Sequence, residues 1–234
     1  MFRRNLIKAI IWTNAGFFLV SLVFSGKSVG LSANPLFALS PDYNVLTFLG
    51  GSGTIPIDTY NAWWSLFTAG WFHGSLLHIL FNMMALKTVA PIVINAFGPS
   101  RMFCIYILSG VLGFFSAYLG GVPLTVGASA GICGLIGALL YYGKSRGGAW
   151  GQQVFMQTRT WIFSLMVIGF IVPNIDNWGH GGGLIAGICL GWLLGYQKKP
   201  HAIKSSLILG ISLAIVTAYF LSVSVVKAAL LIFF

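Results

Sequence analysis

Glutamate is absent from all 234 residues, aspartate occurs three times, and charged residues make up only 7% of the chain, against about a quarter in soluble domains. The missing glutamate removes the H-E-x-x-H helix of zinc metalloproteases. Asp42 and Asp58 fall in one connection and only Asp176 stands near a helix start, so two facing carboxylates for aspartyl chemistry are not available. No acidic residue is expected mid-helix, which takes weight from ion-coupled transport. Cys104, Cys133 and Cys189 lie inside apolar runs without metal or redox spacing and read as reduced packing residues. His73 and His78 are five residues apart with no third ligand in reach, so no metal is expected.

What the chain does have is apolar surface: 57% of its residues are hydrophobic. A water-facing globule of this size cannot hide that much, so lipid is part of its solvent and an all-α polytopic membrane protein is expected. Thirteen Lys and Arg give a net charge of +10. They are scattered in ones and twos between apolar runs, as topogenic signals are, so no nucleic-acid partner is expected. The opening "MFRRNLIKAIIWTNAGFFLVSLVF" has too long an apolar run for a signal peptide and no clear cleavage site, and reads as a retained first helix. No cytosolic domain is expected ahead of it.

Crossing a bilayer takes about 20 apolar residues. Seven segments qualify as candidates, at about residues 5 to 25, 75 to 94, 101 to 120, 129 to 143, 159 to 173, 179 to 196 and 205 to 232. The long connection 26 to 72, rich in Pro, Gly and Trp, suits a structured element lying in the membrane interface. Arg3, Arg4, Lys8, Arg101, Lys144, Arg146, Arg159, Lys198, Lys199 and Lys204 all fall on one side under this count, and the three aspartates on the other. By the positive-inside rule the N-terminus is cytoplasmic and the aspartate side faces out. His201 belongs to the solvated basic loop "QKKPHAIK".

The fourth segment, headed by Ser129, has 15 residues in this count, or about 22 Å against a hydrocarbon layer of about 30 Å. With Gly143 held at the cytoplasmic surface, Ser129 lies below the outer surface. The preceding "GVPLTVGA" is tolerated at that depth only if protein or a water-filled cavity surrounds it, and a wet cavity ending at Ser129 is expected.

A serine nucleophile needs a base, and histidine is the usual one. His180 opens the sixth segment on the same side as Ser129. Gly183, Gly187, Gly191 and Gly195 form one small-residue stripe, and Ala130, Gly134, Gly137 and Ala138 a comparable face. Such stripes let helix backbones approach closely in lipid. His78 and Asn82, four apart in "HILFN", project from one helical face and can donate to an oxyanion. The backbone N–H of Ser129 at a helix start is a further donor.

"WWSLFTAGWFHGSLLHILFNMMAL" with its H-x-x-x-N, "GASAG" and "HGGGLIAG", in this order, resemble the rhomboid family of intramembrane serine proteases over about residues 60 to 196. The resemblance implies a six-helix catalytic core at about 5 to 196 within one transmembrane domain. It also implies an extra seventh helix at about 205 to 232, a Ser129–His180 dyad without an acid, and no cofactor. His78 and Asn82 would match the family's oxyanion stabilisers and Gly127 the glycine ahead of the serine. Partners would be the lipid bilayer and transmembrane protein substrates, cut near the outer face; a bacterial inner membrane fits. Two departures stand out: Ala130 where many members carry glycine, with little harm expected, and Trp64-Ser65 in place of the family's tryptophan-arginine pair. The alternative is a catalytically silent membrane adaptor or chaperone binding client helices on the same fold.

Overall fold

The structure, a computed structural model, describes residues 2–196 and 200–233. Lys198 and Lys199 lie outside the described residues, as do the side chains of Arg3, Arg4 and His201. In chain order the elements are α1 (Phe2–Ser25), β1 (Gly30–Leu31), β2 (Ala38–Ser40), α2 (Tyr43–Leu49), α3 (Ser65–Thr68), α4 (Leu76–Phe97), α5 (Pro99–Leu119), α6 (Ser129–Arg146), α7 (Gly148–Ile171), α8 (Asn177–Leu194) and α9 (Pro200–Phe233). Five of these, α1, α4, α5, α7 and α9, are long and apolar enough to cross a membrane. The other two long helices, α6 and α8, have 18 residues each, about 27 Å at 1.5 Å per residue.

All seven expected segments are helical, with shifted bounds. α6 runs on past Gly143 through Lys144 to Arg146, a turn longer than the apolar run. Basic residues in a last turn favour the negative end of the helix dipole, which explains the extension. α7 starts at Gly148 rather than 159, which puts Arg159 about 16 Å along the helix instead of in a connection. Its guanidinium lies 5.7 Å from the Phe155 ring centroid, an arrangement that lets a long basic side chain reach toward a membrane surface.

α6 is the axis of the bundle: every residue from Ala130 to Leu139 is buried, and α4, α5, α7 and α8 all pack on it. α1 packs into the same body, burying Ile10, Asn14 and Phe18 and setting Phe17 edge-on to Phe72. Cys104 and Cys133 are buried, whereas Cys189 is exposed and so is not a core residue. The connection between α1 and α4 is ordered. It holds the antiparallel β1–β2 pair, α2 capped by Asp42, and α3, where the hydroxyl of buried Ser65 donates to Ser52 at 3.1 Å.

Candidate active site

The path into Ser129 is built from backbone pairing. Ser52 N–H donates to Thr125 O at 3.0 Å and Thr125 N–H to Ser52 O at 2.7 Å; Thr54 N–H reaches Val122 O and Ile55 N–H reaches Pro123 O, at 2.9 and 3.1 Å. Protein backbone therefore satisfies the non-helical segment ahead of α6, as burial in an apolar medium demands. Gly127 then turns the chain at φ +123°, its N–H donating to Ala69 O at 2.9 Å. Ala128 N–H points at Nε2 of buried His73, 3.5 Å away, and Ser129 begins the helix. Ser129 and His180 are both partly exposed.

α8 meets α6 along small residues. A Cβ on Gly183 would strike the Ala130 carbonyl, one on Gly187 the Gly134 carbonyl, and one on Gly191 would sit 3.1 Å from the Ala138 Cα. Gly137 lies against Leu184 and Ile188 backbone in the same way. Gly195 is outside this stripe: it has φ +59° and open space around it, and ends the helix instead. Ala130 uses the room its neighbours leave, its methyl facing Gly113 of α5. The close seam begins at Ala130, one residue after Ser129, and at Gly183, three after His180.

His78 and Asn82 come from α4 on the third side. Ser75 caps α4, accepting from His78 N–H at 3.2 Å, while His78 Nδ1 accepts from Gly74 N–H at 3.3 Å. An accepting Nδ1 puts the proton of the neutral ring on Nε2, an assignment made from the hydrogen-bond network. That Nε2–H faces Gly127: a Cβ there would lie 2.7 Å from both Cε1 and Nε2 of His78, and 3.9 Å from Asn82 Nδ2. Asn82 donates one amide N–H to its own helix, to His78 O at 2.9 Å, and keeps the second.

Two residues the sequence reading left without a role stand here. His73, weighed only as a metal ligand, holds the Ala128 N–H, and its ring lies edge-on to His78 with centroids 5.1 Å apart. In the connection ahead of α4, its burial pushes its pKa well below the ordinary 6.5. Asp176 accepts from Gly179 N–H at 2.7 Å through Oδ1 and from the Thr125 hydroxyl at 2.8 Å through Oδ2. The N-cap spacing Asp176 to Gly179 was visible in the sequence; the pairing with Thr125 was not.

Residues 60–197 match the family model of the Rhomboid domain. Among curated proteins, the chain is 35% identical over 165 residues to "Rhomboid protease GluP" of Bacillus subtilis, covering 68% of this chain and 32% of that protein. It is 30% identical over 161 residues to "Inactive RHOMBOID-like protein 8" of Arabidopsis thaliana, covering 67% and 44%. It is also 28% identical over 205 residues to "RHOMBOID-like protein 4" of the same plant, covering 80% and 52%. The chain thus spans between about a third and a half of the length of these relatives.

Proposed function

The chain belongs to the rhomboid family and is an integral membrane protein, and on that premise we propose that it is an intramembrane serine endopeptidase acting on the transmembrane helices of other proteins. Ser129 Oγ attacks the scissile carbonyl carbon while the His180 imidazole takes the hydroxyl proton. The resulting oxyanion accepts from His78 Nε2–H, from the spare N–H of Asn82 and from the backbone N–H of Ser129. Collapse breaks the C–N bond as His180 returns its proton to the leaving amine, leaving an acyl ester on Ser129. Water, deprotonated by His180, then attacks the ester and restores the serine. No carboxylate is required in direct contact with the imidazole, and neither metal nor organic cofactor enters.

The observation that carries this proposal is the donor form of His78 packed against Gly127, two residues ahead of the serine. Charge supports an orientation: Arg101, Lys144, Arg146 and Lys204 gather at one end of the bundle and Asp42, Asp58 and Asp176 at the other, so the Ser129 end faces outward and the N-terminus is cytoplasmic. A bacterial inner membrane fits this arrangement. The six-helix core with α9 as an added seventh span is the matching domain description.

The test is cleavage of a fluorogenic transmembrane peptide by the purified protein in proteoliposomes. Ser129→Ala and His180→Ala each abolish cleavage if the dyad is correct, and activity that survives Ser129→Ala ends the proposal. An inactive relative keeps a silent adaptor in play; it predicts client-helix binding without cleavage by the wild-type chain. For orientation, Asp58→Cys is modified by a membrane-impermeant reagent added outside, and labelling only from the cytoplasm reverses the topology.

A further inference from the structure

Only three carboxylates exist in the chain, and two have duties elsewhere: Asp42 caps α2 and Asp58 accepts from the Tyr118 hydroxyl at 3.0 Å. The third, Asp176, joins the two strands of chain that deliver the dyad. Its Oδ1 and its main-chain O hold the first turn of α8, from Gly179 N–H at 2.7 Å and His180 N–H at 3.0 Å. Its Oδ2 holds Thr125. Thr125 is itself fastened on both backbone sides to Ser52. Asp176 is four residues ahead of His180, and Thr125 four ahead of Ser129.

The glycine seam clamps α6 to α8 on one side of the dyad, starting at the Ala130–Gly183 contact. On the other side of the dyad, Asp176–Thr125 is a direct side-chain tie between the segments that lead into α6 and α8. The strand leading to Ser129 is also tied through its backbone to residues 52–55, Ala69 and His73, and the Asp176–Thr125 bond is its side-chain link to the entry of α8. That link joins the two segments that run into Ser129 and His180. We infer that Asp176, acting through the Thr125 hydroxyl, is a positioning residue that sets the Ser129–His180 geometry.

This inference rests on the protease proposal. The deciding experiment measures kcat and KM on the transmembrane peptide in proteoliposomes for Thr125→Val, Thr125→Ser, Asp176→Asn, Asp176→Ala and the Thr125→Val/Asp176→Ala pair. It adds the rate at which a fluorophosphonate labels Ser129 in the monodisperse fraction of each. Thr125→Val removes the tie and leaves the α8 cap in place. Because a misplacement near 1 Å can slow chemistry about 100-fold, kcat and labelling are expected to fall about 10- to 100-fold with KM within about twofold. The double variant is expected to be no slower than Asp176→Ala, since both changes cut one link. Thr125→Ser and Asp176→Asn, which keep a hydrogen-bonding partner, are expected to recover to within about threefold. Unchanged kcat in Thr125→Val, losses that multiply in the double variant, or failure of both conservative variants to recover would each overturn the inference. Wild-type protein that neither cleaves nor labels removes the protease proposal as well, whereas active wild type with unaffected variants removes this inference alone.

Discussion

Gly127→Ala tests the serine loop most directly, because two separable effects meet at that position. The first is backbone strain: φ +123° is a conformation that side chains rarely adopt, and holding alanine there costs about 1–3 kcal/mol. The second is overlap. A methyl would stand 2.7 Å from Cε1 and Nε2 of His78, well inside the about 3.5–4.0 Å at which carbon atoms rest. The ring has little room to retreat, since Gly74 N–H holds its Nδ1 and His73 lies edge-on to it. Relief takes a shift on the order of 1 Å in the ring or in the loop. Either movement separates the Nε2–H donor from the oxyanion position, and loss of one such donor lowers kcat about 100- to 1,000-fold. The expected result is therefore kcat down by about 100-fold or more with KM within about twofold. Gly121→Ala is the control, because Gly121 also has positive φ (+76°) but open space around it. It is expected to lower stability while leaving kcat within about threefold. Initial rates on the fluorogenic peptide, with thermal unfolding of the same samples, separate the two effects. If Gly127→Ala keeps kcat within about threefold of wild type, the placement of His78 as a donor is wrong.

Gly187→Leu, whose side chain would drive into the Gly134 carbonyl, is expected to lose about 3 kcal/mol or more in an unfolding titration; Gly181→Ala, with nothing within 4 Å, is expected to lose little. His73 stays neutral in the fold because burial depresses its pKa, whereas the unfolded imidazole binds a proton below about pH 6.5. The unfolded state thus binds more protons as pH falls, so the His73 contribution is present above pH 6.5 and is lost below it at up to about 1.4 kcal/mol per pH unit. Unfolding midpoints between pH 7 and 5 are expected to fall less steeply in His73→Phe than in wild type; equal slopes would show that His73 protonates freely in the fold. Peptides with Gly or Pro beside the scissile bond are expected to be cut faster than all-Leu helices, since an unwound carbonyl is available to Ser129; cleavage indifferent to helix propensity would count against attack on an unwound segment.

The bundle was legible where lipid imposes a length: each run of about 20 apolar residues became a helix. The small-residue seam between α6 and α8 was legible because glycines at four-residue spacing have few other uses between helices in lipid. What stayed hidden depends on contacts between distant segments. The pairing of Ser52, Thr54 and Ile55 with residues 122–125 leaves no periodic trace, because a few hydrogen bonds between loops need no particular side chains. Asp176 was set aside when aspartyl chemistry, which needs a carboxylate pair, was excluded, although a single carboxylate can still cap and tie. The start of α7 was missed because Gln152, Gln153 and Gln157 break the apolar run, yet such residues extend a helix well where it leaves the hydrocarbon.

The two long helices that are not apolar enough to count as membrane spans are the two that carry Ser129 and His180. A helix that faces lipid along its length must present an apolar surface there, whereas one enclosed by other helices need not. α6 escapes that demand because other helices surround it, so it can begin late and be entered by irregular backbone. The backbone then needs partners, which residues 52–55 supply. The ordered connection between α1 and α4 is therefore part of the frame that holds the entry to α6. Its Ser52 sits on the same chain of hydrogen bonds, Ser65 to Ser52 to Thr125 to Asp176, that ends at the His180 turn. A change at Ser65, far along the sequence from either dyad member, is accordingly expected to reach them: Ser65→Ala loses one buried hydrogen bond, about 1 kcal/mol of stability, and loosens the far anchor of the Thr125 tie. A fall in kcat with KM held, smaller than that of Thr125→Val, is the outcome that follows; a Ser65→Ala chain slower than Thr125→Val would mean that the anchor acts on Ser129 by some other route.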